Sequence, residues 1–506
     1  MPGHPHINIR RLGATVSCAL LAFTGSSLCQ AGPWINPGDE TLRHHIQVLS
    51  DARVIRVPVT TWPLMWSGIK SDLESADTSQ LSNGQLMSLS YVRFALRRDT
   101  SDDVRLTFTG GLRQDPNLFT NFADSQRDPL ETTLSADWMG KHLAGQLSVS
   151  YTDDVNGDPD AKLDGSYLSA ILGNWAFTAG AQERWWGPGW QNSLILGTNA
   201  RPAPSIGIQR NHSYAFDTPW LSWIGPWHLE TFMAQLENDR YVSDALLWGL
   251  RITFRPFDAL EVGLTRTAQW GGEGRPQDWG TFTDLLLGKD NRGDDDIDES
   301  NEPGNQLGGI DWRLSGTVLD DVGVGFYGQW IGEDETNSQP TAFVMLMGLD
   351  VSVLANQTQH RAYLEYSDTL AEGFKPDHPG KKNYAYEHGI YRSGYRYRNR
   401  TIGSSVDNDS RILTLAHDMF ILDDMQFGWS ASYIKLNMDG SDASPPGGHT
   451  LSRDNTTKLW DIGAHYRLLL NPWQLTVGLN YQSEELTYAG DTLDGTSAYF
   501  AWEARW

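Results

Sequence analysis

The sequence predicts an all-β transmembrane barrel preceded by a small α-helical module, and three observations carry that prediction. Segments of about ten residues alternate apolar and polar side chains, as a strand must when one face meets lipid and the other a lumen. No stretch beyond the N-terminal leader offers the roughly 18 consecutive apolar residues that a membrane-crossing helix needs. The chain closes on an amphipathic strand ending in Trp506.

In chain order, the first element is an export leader over residues 1–31. Arg10 and Arg11 form its basic start, Leu12 to Phe23 its apolar core, and Cys29-Gln30-Ala31 a small-x-small cleavage site. The core is too short to cross a bilayer as a helix. Leu28 precedes Cys29 where a lipoprotein signal needs a small residue, which argues against lipidation. Both cysteines, Cys18 and Cys29, fall in the leader, so the mature protein is expected to contain none. Removing the leader takes Arg10 and Arg11 from 39 basic residues set against 63 acidic ones, leaving a formal charge of −26 on 475 residues. That balance excludes a general binder of nucleic acid or of anionic membrane surfaces.

Residues 32–94 read as a helical module. Asp39 can cap a helix carrying Leu42, Ile46 and Leu49 at helical spacing, with Glu40 near its positive end. A break follows at Val57-Pro58. Trp62-Pro63 opens a second short segment with Leu64, Ile69 and Leu73, and Ser82 with Gln85 forms a capping box before Leu86, Leu89 and Phe94. In a barrel such a bundle sits at or in the periplasmic mouth; a hairpin packed on the outside is the alternative.

Residues 95–506 hold the strand pattern. Trp473 to Tyr481 alternates without a fault, with aromatics at both ends where girdles meet the headgroups. The same period runs through Val104 to Gly110, Gly145 to Tyr151, Leu260 to Thr265, Val322 to Trp330, Trp460 to Leu468 and Phe500 to Trp506. The last places Phe500, Trp502, Ala504 and Trp506 on one face, an end that resembles the signal read by the barrel-assembly machinery. A secreted β-sandwich or propeller would also alternate, but the aromatic strand ends and the Asp, Asn and Gly-rich loops favour the barrel.

Several motifs carry a family resemblance. Trp34 to Asp39 (WINPGD), Val57 to Leu64 (VPVTTWPL), Glu183 to Trp190 (ERWWGPGW) with Ser193 to Pro202 (SLILGTNARP), and Tyr391 to Gly403 (YRSGYRYRNRTIG) together resemble the Wzi family of capsule assembly proteins. The resemblance spans essentially the whole mature chain, with the motifs in the same order. It implies an outer-membrane barrel of about 18 antiparallel strands, a periplasmic helical bundle at its base, and a lectin-like, non-enzymatic role in holding capsular or extracellular polysaccharide at the cell surface.

Two segments are candidate carbohydrate-binding sites. Tyr391, Arg392, Tyr395, Arg396, Tyr397, Arg398 and Arg400 form a basic island in an acidic protein, preceded by Lys381 and Lys382. Guanidinium groups fork onto carboxylate or phosphate, and Tyr rings stack on sugar faces. If extended, the segment places Arg392, Arg396, Arg398 and Arg400 on one face, and the competing reading is that these arginines fill the lumen as ion pairs. Arg184, Trp185, Trp186 and Trp190 surround Gly187-Pro188-Gly189 and offer either a sugar platform or a turn packed by interfacial Trp. Arg201 and Arg210 are expected to pair with Asp217 or Glu183.

Other motifs point nowhere. Gly323 to Gly328 matches G-x-G-x-x-G but lies in a strand pattern and opens no helix. Asp154 to Asp160 resembles the start of a calcium loop, yet Pro159 stands where Gly is needed and Gly165 where the bidentate Glu belongs. Asp294, Asp295, Asp296, Asp298 and Glu299 read as a solvated loop. No G-x-S-x-G, H-E-x-x-H or P-loop occurs, so the sequence supplies no reason to expect an enzyme, a cofactor or a bound metal. The expected partners are polysaccharide and outer-membrane lipid or lipopolysaccharide, the expected state is a monomer, and a porin-like channel for solutes or polysaccharide export is the runner-up function.

Overall fold

The computed structural model describes residues 33–101, 103–124, 126–153, 161–287, 304–319, 321–335, 340–372, 381–421, 424–441, 448–453 and 455–506. The leader, the Asp154 to Asp160 segment and the acidic run at 294–299 therefore lie outside the described residues. Eighteen antiparallel strands close into one barrel. They are β1 Arg105–Arg113, β2 Leu130–Met139, β3 Leu143–Thr152, β4 Tyr167–Leu172, β5 Trp175–Gly180, β6 Ser205–Arg210, β7 Trp227–Gln235, β8 Leu246–Phe257 and β9 Leu260–Trp270. The second half comprises β10 Gly304–Leu319, β11 Val322–Glu335, β12 Pro340–Ala355, β13 Thr358–Glu372, β14 Arg411–Ile421, β15 Met425–Leu436, β16 Thr457–Leu470, β17 Trp473–Gln482 and β18 Thr496–Arg505. The two-residue segment Ala161–Lys162 pairs with β3 and is not counted among the eighteen.

Each strand pairs with its neighbour in sequence, and closure is made by β18 against β1, with Tyr499 opposite Arg113 and Arg505 opposite Thr107. Leu106 and Trp506 extend that seam by exchanging both backbone hydrogen bonds at 2.9 Å. Alternation in the sequence becomes two faces. On β17, Trp473, Val477, Leu479 and Tyr481 are exposed to the outside while Thr476 is buried on the lumen side. The G-x-G-x-x-G run lies inside β11, and its glycines make room: a Cβ on Gly325 would meet the Arg313 guanidinium at 2.1 Å. Turns at the end carrying both barrel termini are mostly short, such as Asn356-Gln357 and Asn471-Pro472, with 211–226 the exception, whereas connections at the opposite end include the long segments 181–204, 236–245 and 373–410. We call these ends the base and the top.

Three helices fill the base: α1 Glu40–Asp51, α2 Trp66–Glu74 and α3 Asn83–Asp99. Asp39 caps α1 by accepting from Leu42 N, and Ser82 with Gln85 forms the full capping box on α3. Two details depart from expectation. The segment opened by Trp62-Pro63 first forms short strand pairs, Leu64–Met65 with Trp34–Ile35 and Thr61–Trp62 with Trp185–Trp186, so α2 starts only at Trp66. The third helix runs on to Asp99, past residue 94.

Wall charges seat the helices in the lumen, because an unpaired charge there would lose hydration without compensation. Arg251 on β8 donates to Asp311 at 2.5 and 2.9 Å and to Thr61 Oγ1 at 2.8 Å, while Glu261 accepts from Val59 N and Thr60 N. Asp350 joins Arg313 and Arg361, and Arg313 also reaches Asp51 of α1 at 3.6 Å. Arg361 in turn donates to His44 Nδ1 at 3.0 Å. Asp350→Asn leaves two buried cations short of their shared anion, and is expected to destabilise the barrel by about 3–5 kcal/mol. The measurement is the urea midpoint in detergent micelles; an unchanged midpoint would contradict this assignment.

Candidate functional site

The connection between β5 and β6 does not leave the barrel but turns down into it. Glu365 on β13 accepts Trp190 N at 2.7 Å, Gln191 N at 3.3 Å and Asn192 N at 2.8 Å, and Tyr327 OH adds a fourth donor at 3.0 Å. Gln329 grips the same turn on both sides, accepting from Leu194 N at 2.8 Å and donating to Trp186 O at 2.9 Å. Gly187, at φ +142°, gives the turn a backbone conformation that a side chain disfavours. Arg43 of α1 donates to Pro188 O and Gly189 O and lies 4.0 Å from the Trp190 ring, with Arg361 4.4 Å from that ring. Two guanidinium groups thus lie over the Trp190 ring. Arg184 and Trp186 both bond Glu230 on β7, at 2.7 and 3.1 Å.

The connection between β13 and β14 is built on this turn. Tyr386 OH donates to Leu194 O at 2.7 Å and Tyr395 OH to Ile195 O at 2.9 Å, so two tyrosines stand on the carbonyls of the inserted segment. Tyr391 OH reaches Gly271 O at 3.1 Å. The basic island folds as a tight hairpin in which Arg396 pairs with Thr401 and Tyr397 with Arg400. Arg398 and Asn399 form the turn with φ of +48° and +62°, the left-handed pair of a type I′ turn.

Arg396 is the electrostatic centre of this cap, donating to Asp407 at 2.7 Å and Glu387 at 2.6 Å. Burial opposes ionisation of Asp407, but Arg396 and then His449 hold its carboxyl well below the usual carboxylate range. Burial raises the Glu387 carboxyl despite Arg396. Burial also pushes His449 down to about 4, and its Nε2 bonds Ser410 Oγ at 3.0 Å. Arg400 is spent on backbone carbonyls, Asn117 O at 2.8 Å and Arg127 O at 3.2 Å.

The expected one-faced row of arginines is therefore not present, because Gly394 at φ +73° and the Arg398-Asn399 turn break the extended backbone. Arg184, Trp185, Trp186, Trp190, Tyr391, Tyr395, Tyr397, Arg396 and Arg400 are all buried and cannot form a surface platform. They are the frame of the cap, and Arg396 pairs with loop acids rather than with the wall. Arg201 pairs with Asp164, Glu183 pairs with Arg127 and also feels the Arg201 charge, and Arg210 stacks 3.6 Å from the Trp227 ring. What the frame presents at the surface is Arg392, half-buried Arg398, and residues from elsewhere in sequence. Arg392 lies 4.9 Å from the ring of Tyr241, whose N–H donates to Ser393 Oγ, and Lys381 lies 4.1 Å from the ring of Tyr384. Tyr241 was not singled out in the sequence; the available signal is an Arg-Tyr pair in an otherwise Asn, Asp and Ser-rich connection. Below the cap, a polar cavity of about 540 Å³ opens between the helices and the β1–β3 and β15–β18 wall.

A family model described as capsule assembly protein Wzi matches residues 108–496. The chain belongs to the Wzi family. It is 34% identical over 350 residues to an uncharacterised 55.8 kDa protein in the cps region of Klebsiella pneumoniae, a match covering 68% of this chain and 66% of that relative, just under two thirds of its length. The solved structure of Wzi from Escherichia coli superposes with a TM-score of 0.78 at 25% identity, covering 93% of this chain and 99% of that one. That protein is described as an outer membrane protein involved in group 1 capsule assembly and a carbohydrate-binding β-barrel. The present barrel is accordingly an outer-membrane barrel of the capsule assembly type.

Two predictions concern the cap. Arg396→Gln leaves Asp407 without its cation and should free the 384–410 segment for limited proteolysis while the barrel stays folded. His449, at about 4 against its ordinary 6.5, stays neutral in the folded cap while the unfolded chain protonates. Its contribution is complete above about pH 6.5 and is lost as pH falls towards 4, by up to roughly 3 kcal/mol. The urea midpoint of the wild type should therefore drop more between pH 7.5 and 4.5 than that of His449→Gln; equal drops would contradict the assignment.

Proposed function

We propose that this protein holds capsular or extracellular polysaccharide at the cell surface as a lectin-like, non-enzymatic anchor. In outer-membrane barrels the long connections face outward and the short turns face the periplasm; in this reading the cap lies outside and the three helices lie in the periplasmic mouth. The observation that carries the proposal is the cap itself: a basic, tyrosine-rich segment locked onto a turn that occupies the lumen, showing Arg392 over Tyr241, Arg398, and Lys381 over Tyr384 at its surface. A guanidinium beside a tyrosine suits an acidic sugar, the cation taking the carboxylate and the ring the apolar sugar face. The Escherichia coli Wzi described as carbohydrate binding supports the reading. The protein acts as a monomer in this account.

The test is cell-associated against released polysaccharide, with total synthesis quantified, in cells carrying Arg392→Gln with Tyr241→Ala and Arg398→Gln. Barrel folding is checked by heat-modifiable gel mobility. Release into the medium with unchanged synthesis and a folded barrel is the expected outcome. Unchanged retention removes this rim from the binding role, and intracellular accumulation would favour the channel reading.

A further inference from the structure

The helix α4, Trp279–Leu286, follows β9 at the top and lies against the outside of the wall rather than over the lumen. Its start is capped by Asp278, whose carboxylate accepts from Thr281 N. On its inner side, Phe282 meets the outward-facing rings of Trp248 edge-on at 5.8 Å and Trp270 at 4.9 Å, and Leu285 is fully buried in the same cluster. Trp248 and Trp270 occupy the lipid side of their strands, yet they are only 8% and 6% exposed because the helix covers them.

The other end of α4 is tied to an arginine that would otherwise be out of place. Arg266 stands on the lipid side of β9, in a row with Val262, Leu264, Ala268 and Trp270. A cation there is costly unless its donors are occupied. Arg266 donates to Leu285 O at 2.7 Å, Leu286 O at 2.9 Å and Gln306 Oε1 at 2.7 Å. The last carbonyls of a helix lack partners within it and carry the negative end of its dipole, so helix and arginine satisfy each other. Away from the wall α4 and its C-cap expose three large apolar side chains, Trp279 at 81%, Leu286 at 38% and Leu287 at 70%, interleaved with the polar Thr283 and half-exposed Asp284.

We propose that α4 is an interfacial anchor seated in the outer leaflet, with membrane lipid as the partner of Trp279, Leu286 and Leu287. Two observations favour lipid over a second protein as the occupant. The exposed Trp279, Leu286 and Leu287 continue the apolar surface of the lipid-facing wall, where Leu264 and Ile310 are similarly exposed on β9 and β10, and the Thr283 and Asp284 between them suit the polar headgroup level. A short helix with an exposed tryptophan is also the usual chemistry of a segment lying in the headgroup region. The anchor would fix the depth of the barrel on this side and hold the cap at a constant height above the membrane.

The test uses single cysteines in a chain with Cys18 and Cys29 replaced. Leu287→Cys and, as a second position, Trp279→Cys carry an environment-sensitive fluorophore in phosphatidylcholine and phosphatidylglycerol vesicles containing nitroxide-labelled lipid. Leu264→Cys on the wall and Ser441→Cys at the top are the references, and gel mobility confirms folding. The expected result is that both α4 positions behave like Leu264→Cys, quenched by nitroxide lipid and shielded from aqueous iodide. Quenching by iodide as at Ser441→Cys would overturn the proposal, and so would protection from both quenchers, which would indicate a protein partner or a second copy.

Discussion

The carboxylate of Glu365 is the interaction on which the rest of the molecule depends. It sits on the lumen face of β13, fully buried, with three consecutive backbone N–H groups and a tyrosine hydroxyl directed at it. A buried carboxylate is tolerated only when its lone pairs are filled, and here the donors come from a connection that could otherwise have stayed in solvent. Filling those lone pairs draws Trp190 to Asn192 into the barrel. Leu194 and Ile195 then present the carbonyls on which Tyr386 and Tyr395 stand, and those tyrosines carry the hairpin of Arg396 and Arg400.

This order of dependence separates frame from surface. The barrel supplies the anchor, its inward charges seat the helices from the base, and the inserted turn seats the cap from the top. Residues with the chemistry of sugar recognition are mostly consumed in the frame, where guanidinium groups bind carboxylates and carbonyls of the protein itself. The few that remain outside are held by contacts within the cap, which under the proposed lectin reading limits the ordering cost of capturing a long, flexible polymer.

Much of the wall was legible because lipid imposes a strict period of two: β17 and β18 follow their sequence alternation residue by residue, and the Asp39 and Ser82 caps stand where the short polar side chains predicted them. The family motifs, together with the match over 108–496, account for the strand number and the capsule role, which periodicity does not contain. The candidate site was only partly legible. Trp185, Trp186 and Trp190 were rightly associated with one turn, but burial at Glu365 depends on a residue 175 positions away in sequence. The arginine row failed because the composition of Tyr391 to Arg400 does not reveal that Gly394 and the Arg398-Asn399 turn reverse the chain twice. Tyr241 and Arg266 were missed for the same reason, since each acquires its meaning only through a partner brought in by topology.

Under the proposed function the inserted turn and the helices obstruct the lumen, so that the barrel serves as a scaffold for the cap rather than as a pore. Single-channel recording of the purified protein in planar lipid bilayers tests this most directly. The account predicts no sustained porin-like conductance from the wild type and the appearance of conductance when residues 185–200 are replaced by a short Gly-Ser linker in a barrel that still folds. A large, steady conductance from the wild type would contradict it.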